Sequence, residues 1–255
     1  LIVLIASTLL LLSLFVIFYV MQKRRTIQLL AQEKSKIFEN IVHEIRTPLT
    51  LINGPLQLVK AKMSKDSAML ENVQMIEHNS EKLVRLVNEL LDVSKLDKGQ
   101  YALAFQIGDI GLFVDGIIQG FSSEIKQKNL ELIWEIPTEI KTLRFASNAY
   151  EKIISNLLGN AIKYSPSGAK IRVKLSQEGE YTVFMLADEG PGIPDKEKEK
   201  IFERFYRLSS HESVKGTGIG LSIVKDLVDL LKGEITLISQ QNKGTTFEVR
   251  IPFDF

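Results

Sequence analysis

Residues 1–21 carry no charged side chain and are dominated by Leu, Ile, Val and Phe. At 1.5 Å per residue, about 20 apolar residues in a helix match a hydrocarbon core of about 30 Å. A helix packed into a globular core would keep a polar face, and this run has none. Gln22-Lys23-Arg24-Arg25 follows at once, and a basic cluster on one flank marks the cytoplasmic side. A secretory leader would place its charges before a shorter apolar run and follow it with a small-residue cleavage site. The expectation is a transmembrane helix over residues 1–21, with everything from about residue 22 onward in the cytoplasm. The chain begins at Leu1 without a methionine, which predicts a longer parent protein.

The rest of the 255 residues suffices for two modest domains. A formal charge of +1 without a basic stripe argues against a directly bound nucleic acid. Cysteine is absent, which excludes thiolate metal sites, thiol catalysis and disulfides. Three histidines, His43, His78 and His211, are too scattered for a zinc site.

After a helical linker over residues 22–36, residues 37–98 show helical periodicity. Apolar positions at Ile37, Ile41, Ile45, Leu49, Ile52, Leu56, Val59 and Met63 step mostly by three and four. Beyond Ser64-Lys65-Asp66 a second helix steps through Met69, Val73, Ile76, Ser80, Leu83, Val87 and Leu90, a heptad seam. Two helices joined so closely form an antiparallel hairpin. One hairpin cannot cover its own seam, so pairing of two hairpins into a four-helix bundle is expected.

His43 lies between seam positions Ile41 and Ile45 and should face outward. Its imidazole has a lone pair at neutral pH and can accept a phosphoryl group, with the Glu44 carboxylate beside it as proton acceptor. An ordinary solvated His-Glu pair fits the same residues, unless the chain elsewhere supplies a phosphoryl donor. Pro48 removes the hydrogen bond to the carbonyl of Glu44, so the helix should bend just after the histidine.

Near residue 98 the helical pattern stops, and residues 101–253 mix strands and helices. Strands are predicted at residues 101–107, 130–136 and 140–145, the last two paired around Pro137. Further strands at 171–175 and 181–186 form a hairpin, as do those at 234–239 and 245–251. Helices are predicted over 109–128, broken by glycines, over 150–164 and over 219–231. This order points to an α+β sandwich with helices on one face of a mixed sheet.

Asn156, Asn160 and Lys163 share one face of the 150–164 helix. Two amide oxygens and an ammonium there suit a hydrated magnesium ion bridging phosphates, although a solvated polar face has the same pattern. Asp188-Glu189-Gly190-Pro191-Gly192-Ile193 follows an apolar strand. Its first carboxylate can accept from an exocyclic amine such as that of adenine, while the glycines admit a ring. Lys215-Gly216-Thr217-Gly218-Ile219-Gly220-Leu221 opens a helix without a Ser or Asp cap and frees backbone amides for an anion. It lacks the Lys-Ser or Lys-Thr pair of a phosphate loop, and no strand leads into it as in a dinucleotide fingerprint.

In this order the segments resemble those of bacterial two-component sensor histidine kinases. His43-Glu44-Ile45-Arg46-Thr47-Pro48 is similar to that family's H box, Asn156 through Lys163-Tyr164 to its N box, and Asp188 to Gly192 to its first glycine box. Ile201-Phe202-Glu203-Arg204-Phe205-Tyr206-Arg207 resembles the F box, Gly216 to Leu221 the second glycine box, and Gly244-Thr245-Thr246-Phe247 the closing strand motif. The resemblance implies a homodimeric phosphotransfer hairpin followed by an ATP-binding α/β sandwich of the gyrase and Hsp90 type. It implies His43 as phosphoacceptor, Glu44 as its base, Thr47 in dephosphorylation of the partner regulator and Arg207 near the transferred phosphate. ATP would meet Asn156, Asn160, Lys163, Tyr164, Asp188, Gly190, Gly192, Ile193, Gly216, Thr217, Gly218, Ile219, Gly220, Leu221 and Thr246, with Asn160 as the Mg2+ ligand. A response-regulator receiver domain, separate or fused, would be the partner, and the bacterial inner membrane the location. Residues 43–52 look most similar to sensors of Bacteroides-type hybrid systems. Two positions depart from the usual pattern: Glu189 follows the glycine-box aspartate, and Asn148, able to cap a helix, stands where an aspartate is common.

Overall fold

The structure is a computed structural model that describes residues 12, 15, 17–23, 52, 56, 67–137, 142–208 and 217–253. The chain divides into two compact units, residues 1–99 and 100–255. His43, Glu44, Thr47, Pro48 and Gly216 lie outside the described residues.

In the first unit, residues 12, 15 and 17–23 are helical, and Leu12, Phe15, Phe18 and Met21 are each exposed by 61–67%. Among the described residues no helix is long and apolar enough to cross a membrane, and most of residues 1–16 fall outside that set. Helix α1, Ser67–Asp97, carries the predicted seam, and only half of it is covered. Val73, Ser80, Val87 and Ser94, spaced by one heptad, are buried, whereas Ile76 and Leu83 are exposed by 48% and 43%. The helix stops before Gly99, whose N–H donates to the Leu96 carbonyl at 3.0 Å.

The second unit runs β1 (Phe105–Asp109), α2 (Ile110–Gly120), α3 (Ser122–Gln127), β2 (Glu131–Glu135), β3 (Thr142–Ala146) and α4 (Ser147–Tyr164). It continues with β4 (Lys170–Glu178), β5 (Tyr181–Asp188), two 3-10 turns, α5 (Gly220–Leu230), β6 (Glu234–Ser239) and β7 (Thr245–Pro252). Five strands form a sheet in the order β2-β4-β5-β7-β6, parallel only between β2 and β4, while β1 and β3 form a separate antiparallel ribbon.

The expected pairing of β2 with β3 around Pro137 is therefore wrong. A short connection suggested a hairpin, yet β2 pairs with β4 beyond β3 and α4, and a parallel pair needs such a crossover. Alternation along β4 and β7 separates a solvated face from an apolar one, where Ile171, Val173, Leu175, Phe247 and Val249 are at most 4% exposed. The same core takes Ile153, Ile154, Leu157 and Leu158 from α4 with Val224 and Leu227 from α5, all at 1% or less. Burying such side chains stabilises by about 1.5–3 kcal/mol each, the main driving force for this layer.

Asn148 does not cap α4, which starts without a side-chain cap bond. Its amide instead accepts from the Ala104 N–H and donates to the Ala102 carbonyl, both at 2.9 Å. An aspartate could not donate the second bond, so asparagine suits this tether.

Candidate nucleotide site

Asp188 closes β5, opposite Ile171 of β4 and Thr245 of β7. Ile171 is fully buried, so the strand register turns Asp188 toward the helix-covered side of the sheet. The Gly190 N–H donates to Asp188 Oδ1 at 2.8 Å, and the Thr245 N–H also reaches this carboxyl. Burial pushes the Asp188 carboxyl up from 3.8 to about 6, against the pull of these two N–H donors. A half-buried acceptor held by backbone suits an exocyclic amine. Beside it Gly244 takes φ +87°, and a Cβ there would collide with the Asp188 carbonyl oxygen.

The glycine box is tied to the β6–β7 turn. The Asn242 N–H donates to the Pro191 carbonyl at 2.7 Å, and the Ile193 N–H to Ser239 Oγ at 2.9 Å. Gly190, Gly192 and Ile193 are all buried.

Helix α4 spans the site. Its apolar side is in the core, while Asn156, Asn160, Lys163 and Tyr164 are half-buried. Asn156 Nδ2 donates to the Lys152 carbonyl at 2.8 Å, leaving Oδ1 toward Gly220, where a Cβ would stand only 2.5 Å from it. Gly220 therefore lets the start of α5 approach the asparagine. At the other end, a Cβ on Gly190 would lie 3.6 Å from the Tyr164 carbonyl. Asn156 and Tyr164 are about 12 Å apart along the helix, the scale of a nucleoside triphosphate. Lys163 Nζ donates to Tyr164 Oη at 2.9 Å and sits 4.5 Å from its ring centroid.

The start of α5 lies at the Asn156 end of the site. Ile219 precedes it without a side-chain cap bond, and the Ile219 N–H donates to Thr217 Oγ1 at 3.2 Å. Ile219 offers no side-chain cap to the N–H groups of the first turn, and the helix dipole favours an anion there. The Gly218 carbonyl accepts from the Phe205 N–H at 2.9 Å, and Arg204 pairs with Asp226 of α5 at 3.1 Å. The F box is therefore bonded to the second glycine box, with Arg207 exposed at its end.

Magnesium can be tested against these residues. Among the described residues no group of three His, Cys, Asp or Glu side chains could hold a metal ion. Amide oxygens of Asn156 and Asn160, one turn apart, are hard donors but carry no charge. Such a pair fits Mg2+ that arrives with phosphate oxygens and keeps its waters, not a resident ion.

One predicted contact is displaced. Along β7, Thr245, Phe247, Val249 and Ile251 are buried while Thr246, Glu248 and Arg250 are half-buried. Thr246 therefore faces away from Asp188, and Thr245 is the threonine beside it. Thr245, Ser239 and Lys128 escaped sequence reasoning. For Ser239 a signal existed, a polar residue in phase with the inward-facing Ile235 and Leu237. Lys128 Nζ donates to the carbonyls of Ile162 and Lys163 at 2.5 and 2.6 Å, closing the last turn of α4. No local pattern pairs that lysine with a helix 34 residues away.

Residues 33–99 match the His Kinase A (phospho-acceptor) domain, and residues 146–254 match the Histidine kinase-, DNA gyrase B-, and HSP90-like ATPase. Histidine kinase P4 of Formosa agariphila is 36% identical over 226 residues, covering 87% of this chain and 16% of that protein. Sensor histidine kinase TmoS of Ectopseudomonas mendocina is 36% identical, covering 89% of this chain and 24% of that protein. Sensor histidine kinase WalK of Bacillus subtilis is 33% identical, with 87% and 37% covered. The chain thus spans well under half the length of these relatives. Among solved structures, full-length ShkA in complex with AMPPNP superposes with a TM-score of 0.72 over 86% of this chain and 46% of its own, and at 24% identity shows the fold alone. The Acinetobacter baumannii histidine kinase AdeS gives a TM-score of 0.59 at 25% identity, covering 84% of this chain and 98% of its own. Both halves of the chain, a phospho-acceptor domain and an ATPase domain joined in one polypeptide, place it in one family: it belongs to the two-component sensor histidine kinases.

Proposed function

We propose that this protein phosphorylates His43 from ATP and passes the phosphoryl group to an aspartate of a response-regulator receiver domain. The observation that carries this is α4, with an adenine-suited carboxylate at one end and the uncapped start of α5 beside Asn156 at the other. A His43 ring nitrogen attacks the γ-phosphorus in line, the bond to the ADP oxygen breaks, and Glu44 accepts the proton of the opposite ring nitrogen. The receiver carboxylate then attacks the same phosphorus and frees the imidazole. Asp188 and Tyr164 hold the base, Lys163 and the α5 amides the phosphates, and Arg207 steadies the group in transfer. Asn160 would hold Mg2+ with Asn156 beside it, and the ion would neutralise phosphate charge. Thr47, four residues after His43 in the sequence, would assist the reverse removal of phosphate from the regulator. Exposed apolar side chains among residues 12–21 support a membrane anchor, with the catalytic units on the cytoplasmic side of the bacterial inner membrane. The bare half of the α1 seam supports a homodimer, and residues 43–52 support a hybrid-type sensor.

Labelled γ-phosphoryl ATP should give an acid-labile, base-stable label on the wild type. His43→Gln should take none while binding ATP within about twofold of wild type. Acid-stable label, or label persisting in the mutant, sinks the assignment.

A further inference from the structure

Ser239, at the end of β6, is a hub that no functional motif absorbs. It is 7% exposed, and its hydroxyl makes three hydrogen bonds. It accepts from the Ile193 N–H at 2.9 Å, donates to the Gly244 carbonyl at 2.9 Å and meets Thr245 Oγ1 at 3.0 Å. A serine hydroxyl has one proton and two lone pairs. With the proton on Gly244, Thr245 must donate to Ser239, and the hydroxyl is then saturated. Two of the three partners, Gly244 and Thr245, border Asp188, and the third belongs to the segment that follows it. Ile193 directly follows the glycine box, whose Gly190 N–H donates to the Asp188 carboxyl; Gly244 packs against the Asp188 carbonyl; Thr245 gives its N–H to the same carboxyl. One buried oxygen therefore joins the two segments that grip the carboxylate from either side.

We infer that Ser239 is a positioning residue for the purine end of the site, holding the glycine box against the β6–β7 turn so that Asp188 presents its carboxylate to the base. It rests on the reading of Asp188 as the adenine acceptor. None of these three hydrogen bonds reaches the start of α5 or the F box, so Ser239 acts on nucleotide affinity and leaves the transfer step alone.

The test measures autophosphorylation of the full 255-residue chain against ATP concentration. Ser239→Ala should raise KM for ATP about tenfold, the effect of one misplaced charged hydrogen bond, with kcat at saturation within about twofold. Ser239→Thr, which keeps the hydroxyl, should restore KM. Thr245→Val, nearly the same shape, should raise KM by about threefold through its single bond to Ser239. An unchanged KM in Ser239→Ala overturns the inference. So does a joint fall of kcat and melting temperature in both Ser239→Ala and Thr245→Val, which marks a purely structural bond. If ATP binds wild type and Asp188→Asn equally, the adenine reading itself fails, separately from the role of Ser239.

Discussion

At Asp188, function and stability pull in opposite directions. Folding raises its pKa from 3.8 to about 6 through burial, although the Gly190 and Thr245 N–H groups oppose the rise. The folded state therefore holds a proton that the unfolded chain gives up between about pH 4 and pH 6. The stability this proton provides is full below pH 4 and lost as pH rises through 6. Above that the buried carboxylate costs up to about 3 kcal/mol, since one pKa unit is about 1.4 kcal/mol. On the proposed reading the charged form is the acceptor for an adenine amine, so ATP affinity should fall as pH drops through 6. Asp188→Asn should then melt higher than wild type at pH 8 while binding ATP about 10- to 100-fold more weakly. Thermal melts and titration calorimetry at pH 8 measure the two signs together. A mutant that melts no higher than wild type would show that ionised Asp188 imposes no cost on the fold.

The elements that carry the site differ in how they are secured. Helix α4 has no side-chain cap at its start, but Lys128 satisfies two carbonyls at its end. Those carbonyls belong to Ile162 and Lys163, directly before Tyr164. Lys128→Met keeps the stem and removes the donors, so it should destabilise the unit by about 2 kcal/mol and weaken ATP binding through a loosened last turn. Urea unfolding followed on the wild type and mutant tests this, and unchanged midpoints would show that water replaces the lysine. The face of α4 was legible in the sequence because a helix states its own period: Asn156, Asn160 and Lys163 on one side, Ile153, Ile154, Leu157 and Leu158 on the other. The β4–β5 and β6–β7 hairpins were legible for the same local reason. The β2–β4 pair was not, because parallel pairing joins residues with a whole strand and helix between them. Motif position points to Thr246 but does not reveal strand phase; the register pairs Asp188 with Thr245.

At the scale of the whole molecule, α1 leaves a surface that one protomer does not cover. Val73, Ser80, Val87 and Ser94 are buried within the unit, and the alternate seam positions Ile76 and Leu83 are exposed. Ile76, Leu83 and Leu86 also line an apolar groove with Ile52. A second copy brings the same stripe, so each protomer's Ile76 and Leu83 are covered by the partner's, and a substitution there enters the dimer twice. Leu83→Glu places a carboxylate in that seam without removing a contact inside the protomer core. Burying it unpaired costs several kcal/mol per site, enough to shift a dimer in the micromolar range to monomer. Light scattering of the detergent-solubilised chain should show a dimer for wild type and a monomer for Leu83→Glu, with ATP affinity unchanged, since unit two carries the whole nucleotide site. Arg85→Ala, which breaks only a solvated 3.9 Å pair with Glu81, should leave the dimer intact. A Leu83→Glu protein that remains dimeric would mean that the exposed half of the seam is not where two copies meet.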